Sequence, residues 1–319
     1  MKSIRTFIRL LSIVLVMAGC TNEKPNEIAI LKYVTHPALD ELEDAYELRL
    51  NSLIKSHSEL KNFKIKKYNA NGNIPTAKSI AESFNYKNVK LILTIATPAA
   101  IAVANTSSDV PHIYGAVADP QGAKIIPSNR STGIQNAGEN IIIDALSFMR
   151  KAFPDAKRIG TIYNPDEQNS IFVQNHIKSN APKFGFEVKQ ATVSGTSQFA
   201  GVTEHLCKDV DLVYSANDNT VNSGISSIIS VCNKLNKPFI IGDLSTLDKG
   251  ALFAVGLKYS TMGNDLAFIS YEILRGKKIS DFPPQGPPSP EIWMNASAKQ
   301  LLNYTYPDST DFSNVVERK

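Results

Sequence analysis

The sequence predicts an α/β protein built as two doubly wound parallel-sheet lobes joined by three crossovers. Short, dense apolar runs, which read as strands buried on both faces, alternate with amphipathic helical patterns along the chain. The alternation comes in two series, one before and one after Gly133. The length, 319 residues, suits two domains of ordinary size.

The first series opens with the apolar run 28–31, a buried strand. A helical pattern follows, with Leu39, Leu42, Tyr46, Leu50 and Leu53 on one face. A strand near 63–68 and a helix near 74–84 come next, then a dense strand over 89–95 ending Ala96-Thr97-Pro98. Pro98 suits a first helical turn, where its missing N–H costs nothing. The helix 99–105 leads to a strand over 113–117. The second series runs helix 139–153, strand 158–163, helix 168–180, strand 188–193, helix 199–208, strand 212–215, helix 221–235 and strand 239–242. A tail remains: a strand over 251–255, a helix over 262–275 closed by Gly276, a Pro-rich loop over 281–290, a strand over 291–294 and a helix over 297–304. Elements left over after two complete series suggest that the chain crosses back between lobes.

Composition excludes several classes. Hydrophobic residues make up 43% and charged residues 20%, too apolar for a disordered chain. Gly 17 and Pro 17 exclude a fibrous or low-complexity protein. Lys+Arg 34 against Asp+Glu 30 gives a formal charge of +4, which argues against the dense basic face of a nucleic-acid binder.

Lys2, Arg5 and Arg9 precede an apolar run over 10–18 that is too short to span a bilayer and reads as a signal-peptide core. It ends Val16-Met17-Ala18-Gly19-Cys20, which resembles a bacterial lipobox. That resemblance implies cleavage before Cys20 and lipidation of its thiol, with residues 1–19 as signal peptide and 20–26 as a polar tether. An ordinary secretory signal with a chance Cys is the alternative. Removing 1–19 leaves 31 basic against 30 acidic residues, so no long-range steering field is implied. The mature chain would sit, lipid-anchored, outside the cytoplasm on a bacterial membrane. There Cys207 and Cys232 could pair if the fold brings their Cα atoms within about 7 Å. Both lie in amphipathic helical patterns, so buried free thiols are the favoured reading.

Nucleotide and hydrolase motifs are missing: there is no G-x-x-x-x-G-K-[ST], no G-x-G-x-x-G and no G-x-S-x-G. The five His residues show no i, i+4 pair, so neither a metal nor a cofactor is expected. In open α/β sheets, ligands bind beyond the carboxyl ends of strands. Those ends hold Thr35 and His36; Thr97; Ala118 and Asp119; Tyr163, Asn164, Glu167, Asn169 and Ser170; Asp218 and Asn219; and Asp243. Hydroxyls and backbone N–H groups where helices begin, at Thr97, Ser170 and Thr220, suit a carboxylate. Asp119, Glu167, Asp218 and Asp243 suit an ammonium. A zwitterion such as an α-amino acid needs both, and Tyr33, His36, Tyr114 and Tyr163 could flank an apolar or aromatic side chain. Each residue alone is more simply an N-cap, a turn former or core; the argument rests on the set.

The stretches His36-Pro37-Ala38-Leu39-Asp40, Ala96-Thr97-Pro98-Ala99-Ala100, Ala116-Val117-Ala118-Asp119-Pro120, the run 160–170 and Asp218-Asn219-Thr220 resemble the ABC-transporter substrate-binding lipoproteins of the tryptophan/tyrosine-type group. The resemblance covers most of the mature chain. It implies the type I periplasmic-binding-protein fold, with one lobe from 27–132 plus 257–289 and the other from 133–256 plus 290–319. Crossovers fall near 132–134, 256–259 and 290–293. It also implies that the chain is not an enzyme, and that it hands a small solute, above all an aromatic amino acid, to an ABC permease with its ATPase. In that scheme Thr97 and the Ala118 backbone hold a carboxylate, Asp218 and Asp243 hold the amine, and Asn164, Glu167, Asn169 and Ser170 line the second-lobe wall. Two other readings stay open: a ligand sensor without transport, and an extracytoplasmic enzyme using acidic cleft residues such as Asp119 and Glu167.

Overall fold

The computed structural model describes residues 25–125, 130–308 and 311–318. The expectations for the signal peptide over 1–19, for Cys20 and for most of the tether lie outside the described residues. No described helix is long and apolar enough to cross a membrane.

The first sheet holds β1 (Asn26–Lys32), β2 (Phe63–Asn69), β3 (Val89–Ile95), β4 (His112–Val117) and β5 (Ser131–Gln135), all parallel, in the order β2-β1-β3-β4-β5. Two helices cover it on one side: α1 (Pro37–Lys55) and α9 (Tyr259–Leu274) pack on each other and share one apolar core with β1 and β3. The buried stripe of α1 is Leu39, Leu42, Tyr46, Leu50 and Ile54, so the i+4 row continues to Ile54 while Leu53 sits at its margin. Helices α2 (Ile74–Ser83) and α3 (Thr97–Ala104) complete the cover.

The second sheet holds β6 (Arg158–Tyr163), β7 (Glu187–Thr192), β8 (Leu212–Ser215), β9 (Phe239–Asp243), β10 (Phe253–Leu257), β11 (Glu291–Asn295) and β12 (Val315–Arg318). Their order is β7-β6-β8-β9-β10-β11-β12, with only β10–β11 antiparallel. Side chains alternate between two cores, as pleating requires. Leu212, Tyr214, Ile240 and Phe253 face α4 (Glu139–Ala152) and α5 (Gln168–Asn180). Val213, Phe239, Ile241 and Ala254 face α6 (Phe199–Cys207) and α8 (Ile225–Lys234).

The chain passes between the sheets three times: after β5, between β10 and α9, and ahead of β11. Three elements depart from the sequence reading. Residues 131–135 form a strand rather than a bare crossover, and their one bulky apolar residue, Ile134, explains why periodicity missed it. Gly224 divides the helix expected over 221–235 into α7 (Asn219–Ser223) and α8. The last residues add β12 to the sheet edge, held by packing of Tyr304, Tyr306 and Phe312 against Phe148, Phe153 and Phe253.

Candidate ligand-binding site

In each sheet, one central strand leads out in one direction and its neighbour in the other, at β1/β3 and at β6/β8. A crevice opens at such a switch point because successive crossovers leave on opposite faces. The loops after these four strands carry most of the predicted site residues, and the two crevices face one another. Helices α3 and α5 meet across the gap, and α1 meets the turn Leu244–Lys249.

The second-lobe wall is a carboxylate-centred network. Glu167 precedes α5 but does not cap it with its side chain. Instead its Oε1 accepts from the Thr220 N–H (2.9 Å) and Oγ1 (2.6 Å), while Oε2 accepts from Asn219 Nδ2 (2.6 Å) and Asn169 Nδ2 (3.2 Å). Asp218 caps α7 through Val221 N–H (2.8 Å), and its other oxygen accepts from Asn164 N–H and Ser170 Oγ, both at 2.7 Å. Burial, and then the Glu167 charge, push the Asp218 carboxyl up to about 7. Asn164, Glu167, Asn169, Ser170, Asp218 and Asn219 are thus one buried assembly.

The first-lobe wall brings Thr97 and Ala118 together: the Ala118 N–H donates to Thr97 Oγ1 at 3.3 Å. Ala96, just before Thr97, sits at φ 81° and ψ 152°, a region that costs a residue with a Cβ about 1–3 kcal/mol. His36 begins α1 without capping it. Its Nε2 lies 3.5 Å from Asn219 Oδ1 of the opposite lobe. Burial lowers its pKa to about 4, so the ring is neutral at pH 7. A second bridge runs from Asn217 Nδ2 to the Asn136 carbonyl at 2.8 Å, and Asn136 Nδ2 donates to Tyr259 Oη at 3.1 Å.

Four buried polar atoms gathered here have no hydrogen-bond partner: His36 Nδ1, Asn136 Oδ1, Asn169 Oδ1 and Asn217 Oδ1. Buried polar atoms are normally satisfied, so such a concentration marks a place built for a polar guest. Surface depressions also open elsewhere: one of about 730 Å³ lies between Arg130, Lys277 and Phe282.

Other predicted residues stand apart from this assembly. Thr35 is exposed, its hydroxyl accepting from Asn69 Nδ2. Asp119 is half-buried and caps its own turn through Gly122 N–H at 2.8 Å. Tyr163 is half-buried at the end of β6. Asp243 accepts from Ser245 N–H (2.9 Å) and Oγ (2.8 Å), and burial raises it to about 6. Asn217 opens the polar run 217–220 after β8, which the sequence marks as a strand end without giving Asn217 a role; Asn136 carries no sequence signal because it follows the unpredicted β5.

A family described as ABC transporter substrate binding protein matches residues 27–313. The chain belongs to that family. Its members bind a transporter's substrate and are not enzymes. A curated relative, the tyrosine-binding protein of Clostridioides difficile (strain R20291), is 30% identical over 285 residues, which are 88% of this chain and 82% of that protein. The ABC domain from Streptococcus pneumonia in complex with L-Trp is 24% identical, covers 92% of this chain and 99% of its own, and superposes with a TM-score of 0.83. The ligand-free, open structure of a substrate binding protein with adhesive properties from Clostridium difficile is 27% identical, with 92% and 99% covered, at a TM-score of 0.67. This ABC substrate-binding protein therefore superposes better on the ligand-bound relative than on the open one, although its sequence is no closer. Its lobes touch through His36–Asn219 and Asn136–Asn217, as a closed arrangement requires.

Proposed function

We propose that this substrate-binding protein is the extracytoplasmic, lipid-anchored receptor of an ABC importer and closes its lobes on a small zwitterion, an amino acid with an aromatic side chain foremost. The observation that carries the ligand class is the group of unpartnered buried polar atoms on both walls, beside Thr97–Ala118 on one side and the Glu167–Asp218 assembly on the other. The names of the two relatives, one binding tyrosine and one holding L-Trp, support an aromatic side chain.

In this reading Thr97 and the Ala118 backbone take the carboxylate, and Asp218, with Asp243 nearer the hinge, offers negative charge to the amine. Asp218 already accepts three hydrogen bonds and Asp243 caps a turn, so the amine would use their remaining lone pairs. Tyr33, His36 and Tyr163 flank the side chain; Asn164, Glu167, Asn169, Ser170 and Asn219 form the wall, and Thr35 and Asp119 stand at the rim. The lobes follow the expected bounds, 27–132 with 257–289 and 133–256 with 290–319, except that β5 and the Asn136 that follows it stay with the first lobe and Leu257 ends β10 of the second. A ligand touching both favours the closed form by its differential affinity. Cys20 carries the lipid, and a permease with its ATPase receives the solute.

A thermal-shift panel of the twenty amino acids, nucleosides and small sugars tests the reading. A ligand at 100 times its Kd stabilises by about 2.7 kcal/mol. A shift with aromatic amino acids alone is expected; a shift confined to sugars or nucleosides refutes the zwitterion. Intact mass of the envelope-extracted chain tests the anchor, which an unacylated N-terminus removes.

A further inference from the structure

Cys207 and Cys232 lie on different helices of the second lobe, Cys207 as the last residue of α6 and Cys232 in the last turns of α8. Both are buried in one apolar core with Phe199, Ile229 and Phe239. Their sulfurs face each other at 3.9 Å. No group of His, Cys, Asp or Glu among the described residues is arranged to hold a metal ion, so these thiols are not part of a metal site. Neither touches the interlobe assembly.

We infer that Cys207 and Cys232 form an intramolecular disulfide in the exported protein, tying α6 to α8. The sulfurs must approach to about 2.05 Å, a displacement of roughly 2 Å shared by two side chains. Cys207 is the last residue of its helix, where the chain leaves α6 through turn bonds from Lys208 and Asp209, so the helix end can supply part of that movement. The contact with the partner thiol, and more weakly the Lys237 charge, lower the Cys207 pKa against the opposing effect of burial; with its place at the helix end, this makes Cys207 the first nucleophile. The co-reactant is an extracytoplasmic dithiol–disulfide oxidant. The Cys207 thiolate attacks one sulfur of that disulfide, releasing one thiolate and leaving a mixed disulfide. Cys232, losing its proton to solvent, then attacks Cys207 Sγ and expels the second thiolate. Two thiols of this chain are oxidised, one disulfide of the oxidant is reduced to a dithiol, and two protons pass to its two sulfurs. Because both sulfurs are buried, the exchange takes place while the lobe folds. In the exported protein this inference rests on the extracytoplasmic reading above; the chemistry of pairing does not.

The full chain, purified in detergent, is reduced, unfolded and refolded in a glutathione redox buffer. Remaining thiols are then alkylated without reduction and the peptides mapped. The expected result is a cross-linked peptide pair containing Cys207 and Cys232, two hydrogens lighter than the free pair, and a Tm that falls by several degrees on reduction. A Cys207→Ala/Cys232→Ala variant should fold and lose that sensitivity to reductant. Full alkylation of both cysteines, glutathione adducts on either, or pairing of one with Cys20 overturns the inference. The same mapping on chain recovered from cells separates the two readings. A chain that pairs on refolding but is recovered reduced from the cytosolic fraction upholds the pairing chemistry and refutes the extracytoplasmic assignment. A chain recovered from the envelope with both thiols free refutes the pairing.

Discussion

Glu167 is the residue on which the second-lobe wall depends. Its two oxygens accept only, and every neighbour donates: Asn169, Asn219 and Thr220. Glu167→Gln turns one oxygen into an NH₂ that faces donors. It should cost about 1–3 kcal/mol of stability in urea unfolding and weaken ligand at least tenfold by calorimetry. An affinity equal to the parent's would remove Glu167 from the site. Protons report on the same buried groups. Asp218 and Asp243 bind a proton more tightly folded than unfolded, so their contribution is full below about pH 4 and fades as pH rises through about 6 to 7. His112 has the opposite sign. It lies between Thr94 Oγ1 (2.8 Å) and Ser131 Oγ (3.1 Å), and burial lowers it to about 3. Its contribution is present above pH 6.5 and lost as pH falls toward 3. Against Asp243→Asn, the parent's relative stability should therefore fall between pH 4 and 7. Against His112→Gln it should rise from pH 4 to 6.5. Parallel stability–pH curves would contradict both assignments.

At the scale of elements, two backbone positions are tighter than their sequence suggests. Helices α1 and α9 approach so closely at Gly263 that an added Cβ would lie 2.4 Å from the Leu42 carbonyl oxygen, a backbone atom that cannot step aside. Helix propensity alone says that Gly263→Ala stabilises by about 1 kcal/mol. Packing says that it destabilises by about 1–3 kcal/mol, and packing should win in thermal unfolding. The second position is the start of α3. Ala96 holds a conformation natural to glycine, with its N–H on the Gly115 carbonyl at 3.0 Å, and so fixes where Thr97 points. Ala96→Gly should raise Tm by relieving strain and weaken ligand binding by loosening Thr97. A variant that gains both would show that the strain serves nothing at the site.

For the whole molecule, the decisive quantity is the balance between open and closed lobes. Two polar bridges cross the gap: the 3.5 Å contact from His36 to Asn219, and the bond from Asn217 to the Asn136 carbonyl. A single hydrogen bond contributes only about 0.5–1.5 kcal/mol, so the free protein should open and a ligand that touches both walls should close it. Small-angle scattering should show a smaller radius of gyration on addition of the ligand found by thermal shift. Asn217→Ala should bind more weakly and stay more open at equal ligand. An unchanged radius with saturating ligand would rule out hinge closure as the mechanism.

Apolar periodicity by itself determined most of this architecture, because a strand covered on both faces must be apolar throughout and an amphipathic helix must repeat every three to four residues. Residues 28–31, 89–95 and 239–242 carry that signal unmistakably. The polar runs after them, Thr97 and Asn164 to Ser170 among them, mark strand ends wherever the fold puts them. What the sequence could not give was which polar residues meet. Residues 131–135 and 315–318 become strands through neighbours on a sheet edge, with little apolar signal of their own. Asn136 and Asn217 join the cleft because distant loops converge there, and Asp119 turns to its own backbone instead. Cys207 and Cys232 face each other because α6 and α8 pack at one height. Side-chain partners separated by tens of residues depend on strand order and helix docking. Those are properties of the assembled sheets, and no local pattern in the chain encodes them.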